Sequence, residues 1–128
     1  MRRAILGAAF LSVALTFAGG AAAHNTSFET TILLAGTAGF VGDDRVLVIG
    51  HLEAERKACL RGRTVELTVQ RNGETKVLDT DRSSRKGAWA TRGAIASGTS
   101  PRARVLRKNI GPRRHRHICA GDSVAIKA

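Results

Sequence analysis

Between residues 64 and 70, Thr64, Glu66, Thr68 and Gln70 interleave with Val65, Leu67 and Val69. A strict period of two puts successive side chains on opposite faces of an extended chain, so this stretch reads as a strand with one buried and one wet face. Arg71-Asn72-Gly73-Glu74 follows. Asn-Gly between two extended runs marks a tight hairpin, because both residues tolerate the positive φ that a type I′ turn demands. The return strand is predicted over Thr75 to Thr80. Further candidate strands lie at Thr30 to Leu34, Val46 to Glu53, Gly87 to Arg92 around Trp89, Arg102 to Val105 and Ser123 to Ala128. No window holds an i, i+3, i+4, i+7 apolar stripe longer than two turns. Seven short strands in a domain of about 100 residues imply an all-β sandwich of the immunoglobulin-like kind.

The N-terminus begins with Arg2-Arg3, continues as an apolar run from Ala4 to Ala18 and ends in Gly19-Gly20-Ala21-Ala22-Ala23. A basic start, a short apolar stretch and small residues before a cut describe a secretory signal peptide over residues 1–23. The run falls short of the roughly 20 residues that span a bilayer as a helix. Cleavage after Ala23 would leave a single domain, 24–128, that starts at His24 and is secreted or periplasmic, with no further transmembrane segment. Phe28, Phe40 and Trp89 are then its only aromatic residues, which allows one modest core. Cys59 and Cys119 are the only cysteines. Export makes a disulfide their expected fate, and closing a loop of about 60 residues stabilises by about 4 kcal/mol on loop-entropy arithmetic.

Gly50-x-Leu52, Arg63-x-Val65-x-Leu67, Thr80, Gly87-x-Trp89 and Ala103-x-Val105 form an ordered series between Val46 and Val105. It resembles the carboxypeptidase-regulatory-like (prealbumin-like) β-sandwich domains of secreted bacterial proteins. Its most telling part is Gly-x-aromatic, in which the aromatic plugs the core beside a tight turn. Those domains usually carry Tyr or Phe where this chain has Trp89, and the cysteine pair is not general among them. The resemblance implies a scaffold without catalysis and transfers no active site.

The residues themselves offer little catalytic chemistry. There is no Gly-x-Ser-x-Gly, no phosphate-binding glycine loop and no His-Glu-x-x-His. Carboxylates and aromatics are too few to line a glycosidase cleft, so a small hydrolase of unknown type is only a second alternative. Asp79-x-Asp81-x-Ser83 has the oxygen spacing that opens a calcium loop, but Ser84 stands where Gly is needed and Ala90 where a bidentate Glu is needed. It reads as a solvated hairpin end. Copper is the one cofactor the sequence raises, as the alternative function. His24, as a new N-terminus, would chelate through its amine and Nδ1, with His115 or His117 adding an imidazole. His51 reads as an outward-facing strand residue.

Charge is the strongest functional signal. From His24 to Asp81, seven Lys and Arg face nine Asp and Glu; from Arg82 to Ala128, twelve face one. The dense part holds Arg102, Arg104, Arg107, Lys108, Arg113, Arg114 and Arg116, with His115 and His117 among them. Clustered cations attract polyanions through counterion release, with an affinity that falls as salt rises. The expected function is therefore a secreted, non-enzymatic binding or structural module that adheres to an anionic polymer or surface. Sequence-specific nucleic-acid binding is not expected: no helix is available for a major groove, and few aromatics are available to stack on bases.

Overall fold

Ten strands follow one another in the computed structural model, which describes residues 26–40, 43–112 and 114–127. They are β1 (Thr26–Phe28), β2 (Thr30–Phe40), β3 (Asp43–Ala54), β4 (Thr64–Arg71), β5 (Glu74–Arg82), β6 (Ala88–Ala94), β7 (Ser100–Val105), β8 (Lys108–Ile110), β9 (His117–Cys119) and β10 (Asp122–Ala125). The one helical element among the described residues is a single 3-10 turn, Lys57–Cys59. The predicted signal peptide, His24 and Arg113 lie outside the described residues.

The seven predicted strands form a two-layer sandwich. One sheet has the order β10-β7-β4-β5 and the other β2-β3-β6, with every pairing antiparallel. The alternation in β4 does what its pattern predicts: Val65, Leu67 and Val69 turn inward and are buried, beside Ala103 and Val105 of β7. Ile32, Val48, Leu52 and Trp89 close over them from the other sheet. Trp89 reaches this position because Gly50 is its register partner on β3; a Cβ on Gly50 would collide with the indole and with the Leu33 carbonyl. At the β4–β5 hairpin Asn72 and Gly73 both have positive φ, 51° and 80°, and Arg71 pairs directly with Glu74. This is the two-residue turn that Asn-Gly announces.

Strand β5 departs from simple alternation. Leu67 pairs with Asp79 and Thr68 with Val77, so Leu78 is an extra residue in the ladder. Beyond this bulge Asp79 and Asp81 are half-buried and reach across to the other sheet. Asp81 Oδ2 accepts the Ala90 N–H at 2.8 Å and Asp79 Oδ2 accepts the Arg92 N–H at 2.7 Å. The expected solvated hairpin end is thus a lace that ties β5 to the open edge of β6. Asp122 of β10 does the same at the opposite edge, where its Oδ2 accepts the Ile32 N–H of β2 at 3.0 Å. Free N–H groups on an edge strand invite pairing with another chain. Here carboxylates occupy three of them.

Three strands were not predicted. β1, β9 and β8 make a separate small sheet in which β1 runs parallel to β9 and β8 antiparallel to it. Each is three residues long, too short to show a period. Cys119, at the end of β9, is joined to Cys59 in the 3-10 turn, with Cα atoms 5.5 Å apart and both residues fully buried. The expected disulfide is present, and it fixes this sheet to the loop between β3 and β4.

Candidate functional site

Arg63 is the largest fully buried side chain of the described residues, at 0% exposure. It lies in phase with Val65 and Leu67, so the strand pattern sends it inward. No carboxylate meets it. Instead its Nη1 donates to Thr30 Oγ1 and to the Cys59 carbonyl, both at 2.9 Å, and its Nη2 donates to the Leu106 and Ala120 carbonyls at 2.8 Å and to that of Cys119 at 3.4 Å. Burial pulls its pKa below the ordinary arginine value. A guanidinium nonetheless stays charged in proteins, and its donors make charge-assisted bonds stronger than those between neutral groups. The carbonyls of both half-cystines therefore converge on one cation, so covalent and polar anchors hold the same place.

Directly outside this anchor, the 57–61 segment and the turn after β5 form the two walls of a cleft of about 560 Å³, lined by Lys57, Ala58, Leu60, Arg61, Arg85 and Lys86. Four of the six lining residues are cationic. None of the four makes an ion pair or a side-chain hydrogen bond among the described residues. Both walls are fixed. The Cys59 N–H bonds to the Arg56 carbonyl and the Leu60 N–H to that of Lys57, while the disulfide holds Cys59 from behind. In the other wall the Gly87 N–H donates to the Ser84 carbonyl at 3.0 Å and the Ala88 N–H to Ser84 Oγ at 3.1 Å, leaving Arg85 and Lys86 at the tip. Gly87 has a φ of 87°, and a Cβ there would lie 2.9 Å from the Leu52 carbonyl oxygen, so only glycine closes this turn without strain.

Ser83 joins the walls. Its hydroxyl donates to the Leu60 carbonyl and accepts the Arg63 N–H. Its carbonyl accepts the Gly62 N–H, and its own N–H donates to the Arg63 carbonyl, both at 2.9 Å. Lys108 adds a fifth cation at the rim, with Nζ 3.4 Å from the Arg61 carbonyl oxygen. From this base the β8–β9 hairpin leads toward a tip that carries Arg114 and Arg116, both exposed.

The predicted cationic residues that are described make different contacts. Arg104 is half-buried and committed to Glu66 Oε2, at 2.6 Å from Nη2 and 2.7 Å from Nε. Arg102, on the same outer face of β7, donates to Ser123 Oγ at 2.9 Å. Arg107, Arg114 and Arg116 are exposed, Lys108 borders the cleft, and Arg113 lies outside the described residues. The cleft walls come from residues 57–61 and 85–86, outside the arginine-dense segment, and one of them lies in the half with no excess of cations. His115 is exposed in the turn before β9. His117 is half-buried and stacks on Phe28, with centroids 5.5 Å apart, while the Arg56 guanidinium carbon lies 4.8 Å from the centroid of the Phe28 ring. Among the described residues no three His, Cys, Asp or Glu side chains come together as a metal site; the copper ligand set expected from sequence depends on His24, outside those residues. His51 faces outward, as expected, 3.8 Å from Glu53.

No family model matches the chain, and neither a curated protein nor a solved structure is significantly similar to it.

Proposed function

We propose that the protein is an exported, non-enzymatic binding module that adheres to anionic polymers or surfaces through its cationic face. One observation carries the reading: Lys57, Arg61, Arg85 and Lys86 line a single cleft between braced walls, with no acid among the lining residues. Like charges held close together cost the folded state Coulomb energy. A fold that braces the backbone carrying them with a disulfide, a serine bridge and a glycine turn keeps the two walls in place for an anion, so binding need order only the side chains. Lys108 and the exposed Arg114 and Arg116 extend the same sign of charge along the β8–β9 hairpin, giving a long polyanion further contacts. A disulfide suits the oxidising compartment that the N-terminal sequence implies. The scaffold role of the carboxypeptidase-regulatory-like domains that the sequence resembles fits a module without chemistry of its own.

Retention on immobilised heparin tests this. Affinity is expected to fall at least roughly tenfold between 50 and 200 mM salt. Arg61→Glu with Arg85→Glu is expected to abolish retention, whereas Arg114→Glu with Arg116→Glu weakens it. Retention that ignores salt, or that survives the cleft reversal unchanged, contradicts the reading.

A further inference from the structure

We infer that the Lys57–Arg61–Arg85–Lys86 cleft is a discrete site for a phosphate monoester carried on a small polyol or sugar, and so does more than repel cations and attract polyanions at a distance. The inference rests on the proposal that the protein binds anions, and it names the group bound.

Three features of the cleft select this chemistry. The first is charge. Four cations without an acidic partner call for more than the single negative charge of a sulfate ester or a phosphodiester. A phosphate monoester carries about −1.5 to −2 at neutral pH and three acceptor oxygens. The second is the kind of donor. Arg61 and Arg85 stand on opposite walls, and a planar guanidinium offers paired N–H donors that match the oxygens of a tetrahedral anion, while Lys57 and Lys86 add compact charges. The third is what the lining lacks. Ala58 and Leu60 are its only apolar side chains and no aromatic ring is present, so neither a base nor a sugar face can be held by stacking. The two aliphatic groups are enough to cover the carbon that bears the ester. Around 560 Å³ admits a phosphorylated small molecule or the phosphorylated end of a chain.

The backbone of both walls is braced before any ligand arrives. Ser83 bonds to Leu60, Gly62 and Arg63, so the two walls cannot separate without breaking buried hydrogen bonds. No histidine or carboxylate lines the cleft. The His51–Glu53 pair lies on the outer face of β3, where His51 is the register partner of Ala88. A pH dependence that follows the ligand's second ionisation, near 6, is therefore a signature of the monoester itself.

Calorimetry on the full disulfide-bonded protein decides the matter with three ester probes, glycerol phosphate, a glycerol phosphodiester and methyl sulfate, and with inorganic phosphate as the free-ion comparison. At pH 7.5 the monoester is expected to bind at least about tenfold more tightly than either monoanion, with the advantage shrinking toward pH 5 while methyl sulfate stays flat. Arg61→Gln and Arg85→Gln are each expected to remove the preference with an unchanged circular dichroism spectrum. Inorganic phosphate binding as well as glycerol phosphate would assign the site to the free ion and overturn the ester. Equal affinity for all three probes, or no binding of any, overturns the inference while heparin retention persists. Loss of heparin retention in the wild-type protein is the separate result that overturns the anion-binding proposal.

Discussion

The sandwich and the small sheet beside it are held together by different means. In the sandwich, Val65, Leu67, Val48, Leu52, Trp89, Ala103 and Val105 pack across two layers, and carboxylates of the four-stranded sheet accept backbone N–H groups at both edges of the β2-β3-β6 sheet. Stability there is spread over apolar area, at roughly 25 cal/mol per Å² removed from water. The β1–β9–β8 sheet has three strands of three residues and contributes Cys119, but no other member, to the buried apolar residues. It depends on one disulfide and one guanidinium. A layer that buries little can still be placed accurately, provided a covalent link and a multiply bonded cation hold its base. The candidate site sits against that anchor, so the region with least core sets the geometry of one cleft wall.

If this contrast is right, the largest stability loss comes from Arg63. Arg63→Met removes five hydrogen bonds and leaves buried carbonyls without a donor, with an expected cost of about 5 kcal/mol in thermal or denaturant unfolding. A cost below about 1 kcal/mol would mean that water replaces the guanidinium and that the anchor is the disulfide alone. Cys59→Ser with Cys119→Ser comes next, at about 4 kcal/mol. Hydrogen exchange sharpens this test: amides of β1, β8 and β9 should lose protection first while those of β4 and β7 keep theirs. Uniform loss of protection would make the two regions one cooperative unit.

The two regions also differ in how much the sequence tells about them. Val65, Leu67 and Val69 alternate with polar neighbours, and Asn72-Gly73 permits one type of turn, so the central hairpin is readable residue by residue. Cys59 and Cys119 had no partner but each other. By contrast, three-residue strands such as Lys108–Ile110 show no period, and their pairing comes from contacts distant in the chain. Arg63 did carry a signal. It is in phase with Val65 and Leu67, and a cation on the core side of a strand needs acceptors. Asp79 and Asp81 hid their role because the bulge at Leu78 shifts their phase. The cleft was the least legible, since residues 57–61 and 85–86 meet only through Ser83 and the turn at Gly87. A count of charge along the chain favours Arg113 to Arg116 and passes over them.

Smaller effects probe the laced edges and the exposed tip. Asp79→Ala is expected to cost about 1 kcal/mol by removing the carboxylate that accepts the Arg92 N–H, and loosening this lace on the β6 edge should raise self-association in sedimentation velocity. No change in either would show that the lace is incidental. Arg114→Glu with Arg116→Glu, on exposed residues, should leave stability within about 0.5 kcal/mol. A larger change would make the hairpin tip part of the fold.

On the proposed function, the braced cationic cleft, rather than the arginine-dense segment, is where the protein meets anions. Titrating the isotopically labelled protein with a short heparin fragment and following its amide resonances tests this directly. The account predicts the largest shifts at Lys57 to Gly62 and Ser84 to Gly87, with smaller ones at Lys108. Shifts confined to residues 113–116, or spread evenly over the exposed cations, would contradict it.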